Sequence, residues 1–324
     1  MRGRRAGVGL LVALGCSSSP GIPQAQIEAE WHQAICAREV RCGRMPDVDT
    51  CLGATNSPVS PQLAADLASG KVGYDPQAGK ALVDWVTDMP CGNTARNSRA
   101  TTKGLRQRFL EAFRGRVPVG GACGVDEQCA PPTQCDRSTS GGAVCGGTCV
   151  VPPAPQPTGA SCGDTGAIVL STYPPCDDSS YCAHTAAGNV CTALPTKAGE
   201  ACGFTTCAAG LTCVPRNGNP ECATLASPGA PCDTALVPAC DDPTTYCDST
   251  SKICLPRVPV GAPCSVFDQS CVAYAACDAT SDACVALGGA GGQCKELGLE
   301  CLGDLRCPDA ASPCALPAPA SVCP

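Results

Sequence analysis

Aromatic residues are scarce in this 324-residue chain, which has two tryptophans, five tyrosines and four phenylalanines. Only six of those eleven lie between Val117 and Pro324, so that long stretch cannot assemble a conventional hydrophobic core. Histidine is rarer still, with His32 and His184 the only two, and no two cysteines are separated by just two residues. The tightest cysteine spacing is Cys145 to Cys149. Together these gaps argue against zinc and iron–sulfur centres, and no cofactor or metal is expected. Long apolar runs are missing too; the short run Val8 to Leu14 is too brief to cross a bilayer. An excess of positive charge is also absent, because 22 basic residues face 29 acidic ones for a net charge of −7, which argues against a nucleic-acid partner.

What the chain has is cysteine, 31 in all, alongside 36 glycines and 31 prolines. Between Val117 and Pro324 lie 26 of those cysteines, a density that marks a disulfide scaffold in an oxidising compartment. Cross-links there must do what burial does elsewhere. The cysteines recur in register. Six units open with Gly120, Gly159, Gly199, Gly229, Gly261 and Gly291, each three residues before its first cysteine. The quartets read Cys123, Cys129, Cys135, Cys145; Cys162, Cys176, Cys182, Cys191; and Cys202, Cys207, Cys213, Cys222. They continue with Cys232, Cys240, Cys247, Cys254; Cys264, Cys271, Cys277, Cys284; and Cys294, Cys301, Cys307, Cys314. Cys149 and Cys323 are extra, and either pair with each other or rewire their own units.

Five or six residues separate the second and third cysteines throughout, while the other intervals vary. The constant interval is expected to form a fixed turn, and the opening glycine a tight turn that a side chain would obstruct. Each small bridged loop is worth roughly 3 kcal/mol in the chain-entropy model, so two could hold a unit that buries almost nothing. Proline-rich connectors such as Val151 to Pro157 predict a semi-rigid string of knots with few, short strands. The G-x-x-C-x(4–7)-C-x5-C-x(6–9)-C pattern resembles the Dickkopf-type N-terminal cysteine-rich region in the tandem form seen in bacterial lipoproteins. That resemblance implies an extracellular interaction module.

Residues 1–15 read as a lipoprotein signal peptide, with Arg2, Arg4 and Arg5 before the apolar run. Ala13-Leu14-Gly15-Cys16 resembles a bacterial lipobox, which implies acyl chains on Cys16 and a tether over 16–23. Two or more chains, at about 0.8 kcal/mol per buried methylene, would anchor the protein stably to a membrane. Setting Cys16 aside leaves an even 30 cysteines.

Residues 24–116 carry helical periodicity. Ile27, Trp31, Ile35 and Val40 mark one face over Gln24 to Cys42. Ser60-Pro61 and Asp75-Pro76 are cap-plus-proline starts, with Gly70 stopping the first of those helices. A fourth helix is expected from Thr102 to Arg114, ended by Gly115. Cys36, Cys42, Cys51 and Cys91 permit three pairings, of which Cys42–Cys51 with Cys36–Cys91 is favoured. The C-x5-C-G string and the later GKVGYDP resemble the N-terminal part of cysteine-rich lipoproteins from large-genome soil bacteria, a likeness that implies no activity.

Several strings imitate catalytic or metal sites. Glu28, His32 and Cys36 share one helical face, yet a surface pair beside a disulfide explains them as well. Lys103, Arg106, Arg108, Arg114 and Arg116 make a basic helix that reads either as a lipid-facing or as a solvated face. Gly159 to Gly163 matches G-x-S-x-G, but Ser161 aligns with Ala122, Ala201, Pro231 and Pro263 of other units. Asp177-Asp178, Asp241-Asp242 and Asp278 to Asp282 fit turns better than an EF-hand string.

The expected fold class is therefore small disulfide-rich repeats over 117–324, preceded by a small all-α disulfide-clamped domain. The expected role is a lipid-anchored, non-enzymatic binding or structural module of the bacterial cell envelope. Its partners would be the membrane through Cys16 and a protein or glycan ligand. The alternative is a secreted protease-inhibitor-like protein with Arg137, Arg216, Lys252 or Arg306 as bait, or, behind that, a metal-binding protein.

Overall fold

A computed structural model describes residues 20–96, 99–137, 145–162, 175–185, 188–202, 207–208, 210–216, 219–236, 238–264, 269–292, 301–307, 312–318 and 322–323. Cys16 and Cys294 lie outside the described residues.

Six helices form the N-terminal region. They are α1 (Gln24–Arg41), α2 (Val48–Ala54), α3 (Pro61–Ser69), α4 (Pro76–Asp88), α5 (Asn93–Arg96) and α6 (Arg99–Ala112). Local chemistry starts three of them. Ser60 Oγ accepts the Leu63 amide at 3.1 Å, Asp75 accepts the Gln77 and Ala78 amides at 2.9 and 3.1 Å, and both starts carry proline in the first turn. Gly70 ends α3 at φ 78°, a left-handed position. Asp47 caps α2 through the Thr50 amide at 2.7 Å, a helix that the hydrophobic periodicity did not reveal.

The main core gathers Ile27, Trp31, Leu63, Val72, Leu82, Val86 and Phe113, with Ile35 packed at its edge. Phe113 lies at its centre, 5.0 Å from Phe109, 5.4 Å from Tyr74 and 6.1 Å from Trp31 between ring centroids. Burying each such side chain stabilises by about 1.5–3 kcal/mol. The expected run of α6 to Arg114 is corrected here. The helix stops at Ala112, and Phe113–Gly115 becomes β2, antiparallel to β1 (Val72–Tyr74) with Tyr74 opposite Phe113. Seating Phe113 in the core draws the chain out of the helix. Tyr74 donates its hydroxyl to the Ile22 carbonyl at 2.9 Å, and burial, with the nearby Asp75 charge, pushes its pKa up to about 12.

The head's disulfides are Cys36–Cys51 and Cys42–Cys91, so the favoured pairing is wrong. Helix geometry explains the difference. Cys36 and Cys42 are six residues apart, well over a full turn, and so face different neighbours. α2 folds back beside α1 and brings Cys51 level with Cys36. Cys42, at the end of α1, meets the segment after α4. Three arginines fasten that second junction. Arg41, Arg38 and Arg44 donate through Nη2 to the carbonyls of Met89, Pro90 and Cys91 at 2.7, 3.0 and 2.8 Å.

Beyond the head, every sheet is a small antiparallel ribbon. Unit 1 has three strands, β3 (Ala122–Cys123), β4 (Gln134–Asp136) and β5 (Gly147–Val150), with β5 central. Units 2 to 5 each hold one hairpin: β6 (Ser180–Thr185) with β7 (Gly188–Ala193), β8 (Thr212–Arg216) with β9 (Asn219–Ala223), β10 (Thr245–Cys247) with β11 (Cys254–Pro256), and β12 (Ala275–Asp278) with β13 (Ala283–Ala286). The chain is thus a helical, disulfide-bonded region followed by a series of small disulfide-rich hairpin units.

Candidate functional site

The repeated unit is built the same way each time. In units 2 to 5 the first cysteine bonds the third and the second bonds the fourth, as in Cys264–Cys277 and Cys271–Cys284. Third and fourth cysteines face one another across the hairpin, for example Cys182 opposite Cys191, yet each is bonded elsewhere, so two bridges pin one ribbon to the segment before it. In unit 6 Cys301 bonds Cys314, and Cys307 is also disulfide-bonded. Sulfur triads such as Cys264, Cys271 and Cys284 lie within 4.8 Å because two bridges cross there. Sulfurs in S–S bonds are not thiolates and cannot act as a thiolate cage.

Backbone bonds repeat as faithfully. The opening glycine of every unit donates its amide to the carbonyl of the fourth cysteine, from Gly120 to Cys149 at 2.8 Å through Gly291 to Cys314 at 2.9 Å. These glycines have φ between 76° and 91°, and a Cβ on any of them would meet open space. Glycine is required by the left-handed backbone and not by crowding. The second-to-third interval does form a fixed turn: Ser180 donates to Asp177, Ala275 to Val272 and Leu305 to Leu302, with matching bonds in the other units. In five units the residue six before the first cysteine bridges in parallel to the second, as Val258 does to Cys271.

This framework corrects unit 1. Its fourth cysteine is Cys149, bonded to Cys129, while Cys123 bonds Cys135. The pairing Ala122 opposite Thr148 matches Ala201 opposite Glu221 and Pro263 opposite Ala283 in other units. Cys145 is the extra residue, and it bonds Cys323 across 178 positions.

The array returns to the head rather than extending as a string of independent knots. Leu302, Leu305 and Cys314 of unit 6 pack with Met45, Cys51 and Ala54. The Asp304 amide donates to the Ala54 carbonyl at 2.8 Å, and the Asn56 amide to Asp304 Oδ2 at 2.8 Å. Buried Asp66 of α3 accepts from Gln62 and from Gln128 of unit 1, and Gln62 also accepts the Cys323 amide. Unit 4 is held by Asn93, whose amide donates to the Asp241 carbonyl at 2.7 Å and whose side chain donates to the Cys240 carbonyl at 3.0 Å. Proline connectors set each step of the chain, but these side-chain contacts decide its path.

The look-alike sites resolve into structure. Glu28 accepts from Ser57 at 2.7 Å, His32 shares a 2.8 Å hydrogen bond with Thr55, and Cys36 is in a disulfide. Burial lowers the His32 pKa, opposed by the charges of Glu28 and Asp304. Lys103 pairs with Asp178, and Arg106 with Asp126 at 3.5 Å, so the basic helix faces acidic residues of units 1 and 2. Ser161 is exposed and bridges Val190 where other units use alanine or proline, so its hydroxyl has no special setting. Asp242 accepts the Thr244 amide and hydroxyl, and Asp278 the amides of Thr280 and Ser281. Each aspartate closes its own turn. The bait arginine Arg306 donates back to the Gly303 and Leu305 carbonyls, and Lys252 to Thr234 at 3.1 Å.

No family model, curated protein or solved structure matches this chain.

Among the described residues no helix is long and apolar enough to cross a membrane. The bridges themselves place the protein in an oxidising, extracytoplasmic setting. One further feature was invisible in the sequence: a cavity of about 150 Å³ where units 4 and 5 meet the head, lined by Asn93, Thr234, Tyr246, Ser249, Arg257 and Gln269 among others. Its only sequence signal was Arg257, an isolated cation in a connector.

Proposed function

We propose that the protein is a lipid-anchored, non-enzymatic surface module of the bacterial cell envelope that displays a stapled array for binding. The observation that carries this reading is the repeat register: six units, one bond pattern, and variable hairpin tips on a constant frame. Such a frame suits display, because loop changes leave the bridges and the glycine–cysteine bond untouched. The lipobox at Ala13 to Cys16 supports the anchor. The hydrogen bonds that engage Glu28 and His32, and the bridge of Ser161 to Val190, support a non-catalytic role.

Intact mass of protein from its native membranes tests the reading. A chain starting at Cys16 with a di- or triacyl increment, gaining about 30 Da on reduction of fifteen bridges, is expected. An unlipidated product or abundant free thiols would sink it.

A further inference from the structure

Arg257 follows β11 and crosses from unit 4 to unit 5. Its Nε–H donates to the Pro243 carbonyl at 2.9 Å, and Nη1 donates to the carbonyls of Gln269 and Cys271, the latter at 2.8 Å. Nη2 makes no hydrogen bond among the described residues, and no carboxylate pairs with the guanidinium there. Burial lowers its pKa. The three carbonyls satisfy Nε and Nη1 of this half-buried arginine, and Nη2 is not among the buried atoms that lack a partner, so that end of the guanidinium is open to an anion.

The cavity at which it lies offers a partner's place. None of the described residues that line it is acidic, in a chain carrying 29 acidic residues. The rim adds Ser249 and Gln269, both exposed, and Tyr246 is among the lining residues. Gln269 stands at φ 49°, a left-handed conformation unusual for a non-glycine residue and the kind of local strain that collects at ligand sites. The cavity has a volume of about 150 Å³.

We propose that this cavity receives an acidic sugar, with the open edge of Arg257 holding its carboxylate. The hydroxyls and amide at the rim suit sugar hydroxyls. A peptide carboxylate would use the guanidinium but leave the polar rim unanswered. This assignment rests on the binding role proposed above and names the ligand class for it.

The test uses the intact, oxidised protein and D-glucuronate, with D-glucose and N-acetyl-dialanine as comparison probes. Binding is followed by NMR through the Arg257 Nε–H and neighbouring amides. Saturable glucuronate binding is expected, with glucose and the dipeptide each at least about tenfold weaker, as loss of one charge-assisted contact or of the rim would give. Arg257→Gln should weaken glucuronate at least as much. Because that change also cuts three carbonyl bonds, Ser249→Trp serves as the second variant, filling the exposed rim without touching the arginine. It should abolish binding while leaving the disulfide count and amide spectrum of unit 5 intact. Absence of glucuronate binding, equal binding of glucose, equal binding of the dipeptide, or full binding by Ser249→Trp would each overturn the assignment. If glucuronate fails to bind a protein that carries the acyl mass and its bridges, the ligand class falls and the display reading stands.

Discussion

The head and the array reach a fixed structure by opposite means. The head buries Ile27, Trp31, Leu82 and Phe113 in a shared apolar core and adds two bridges. In unit 1 of the array the buried cluster is Cys123, Cys129, Cys135 and Cys149, so there the cross-links are the core, while units 3 and 4 add the small cluster of Val214, Ala223, Leu225 and Leu236. Burial is cooperative across a domain, whereas a bridge acts on its own loop. A repeat of the second kind can vary its tip freely, and the first kind cannot. The difference predicts which perturbation each half will feel.

Reduction should separate the halves most sharply. Each array unit depends on two bridges worth roughly 3 kcal/mol apiece, against a few buried apolar groups. Excess dithiol at neutral pH should make the region from Gly120 onward protease-sensitive while the Trp31 and Trp85 fluorescence of the head persists to higher denaturant. Simultaneous loss of both signals would show that the head leans on the array. The converse change is Phe113→Ala, expected to cost about 3–5 kcal/mol in the head. Fluorescence-monitored unfolding should shift markedly while the hairpin amide pairs of units 3 to 5 keep their chemical shifts.

A smaller contrast is available in two glycines. Gly115 sits in β2 where a Cβ would collide with the Cys129 carbonyl, backbone against backbone, so Gly115→Ala must push unit 1 off the head. Gly261→Ala meets open space and suffers only from φ 84°, about 1–2 kcal/mol. Thermal melts should rank Gly115→Ala as the more damaging. The reverse order would mean that the left-handed turn, and not the head–array junction, is the tighter constraint.

What could be read from residues alone was local. Ser60-Pro61, Asp75-Pro76 and Gly70 act within one turn of where they sit, and the six opening glycines do likewise. The constant turn between second and third cysteines was legible because its length is fixed. Pairing was not. Cys42 and Cys51 are neighbours in sequence, yet the return of α2 along α1 gives Cys51 to Cys36. Cys145 and Cys149 are equally plausible by count; the Cys129–Cys149 bridge, the Ala122–Thr148 pairing and the bond from Gly120 to the Cys149 carbonyl distinguish them. The array's return to the head rests on contacts such as Leu305 with Met45 that no spacing announces. The Arg257 cavity belongs to the same class, since its walls come from the head and two units.

The smallest effect lies where the halves meet. His32 is held beside Thr55 with Asp304 of unit 6 and Glu28 of the head nearby, and burial outweighs those two charges to lower its pKa. A histidine whose folded pKa lies below its unfolded value of 6.5 favours folding fully above that value. As pH falls below 6.5 the unfolded chain takes up the proton first, and stability declines until the lower folded pKa is passed. The group is largely solvent-screened, so the change is modest. His32→Gln keeps a hydrogen-bonding partner for Thr55 but cannot titrate. Urea midpoints at pH about 7.5 and about 5 should differ more for the parent than for the variant. Equal pH dependence in both would place the acid sensitivity elsewhere.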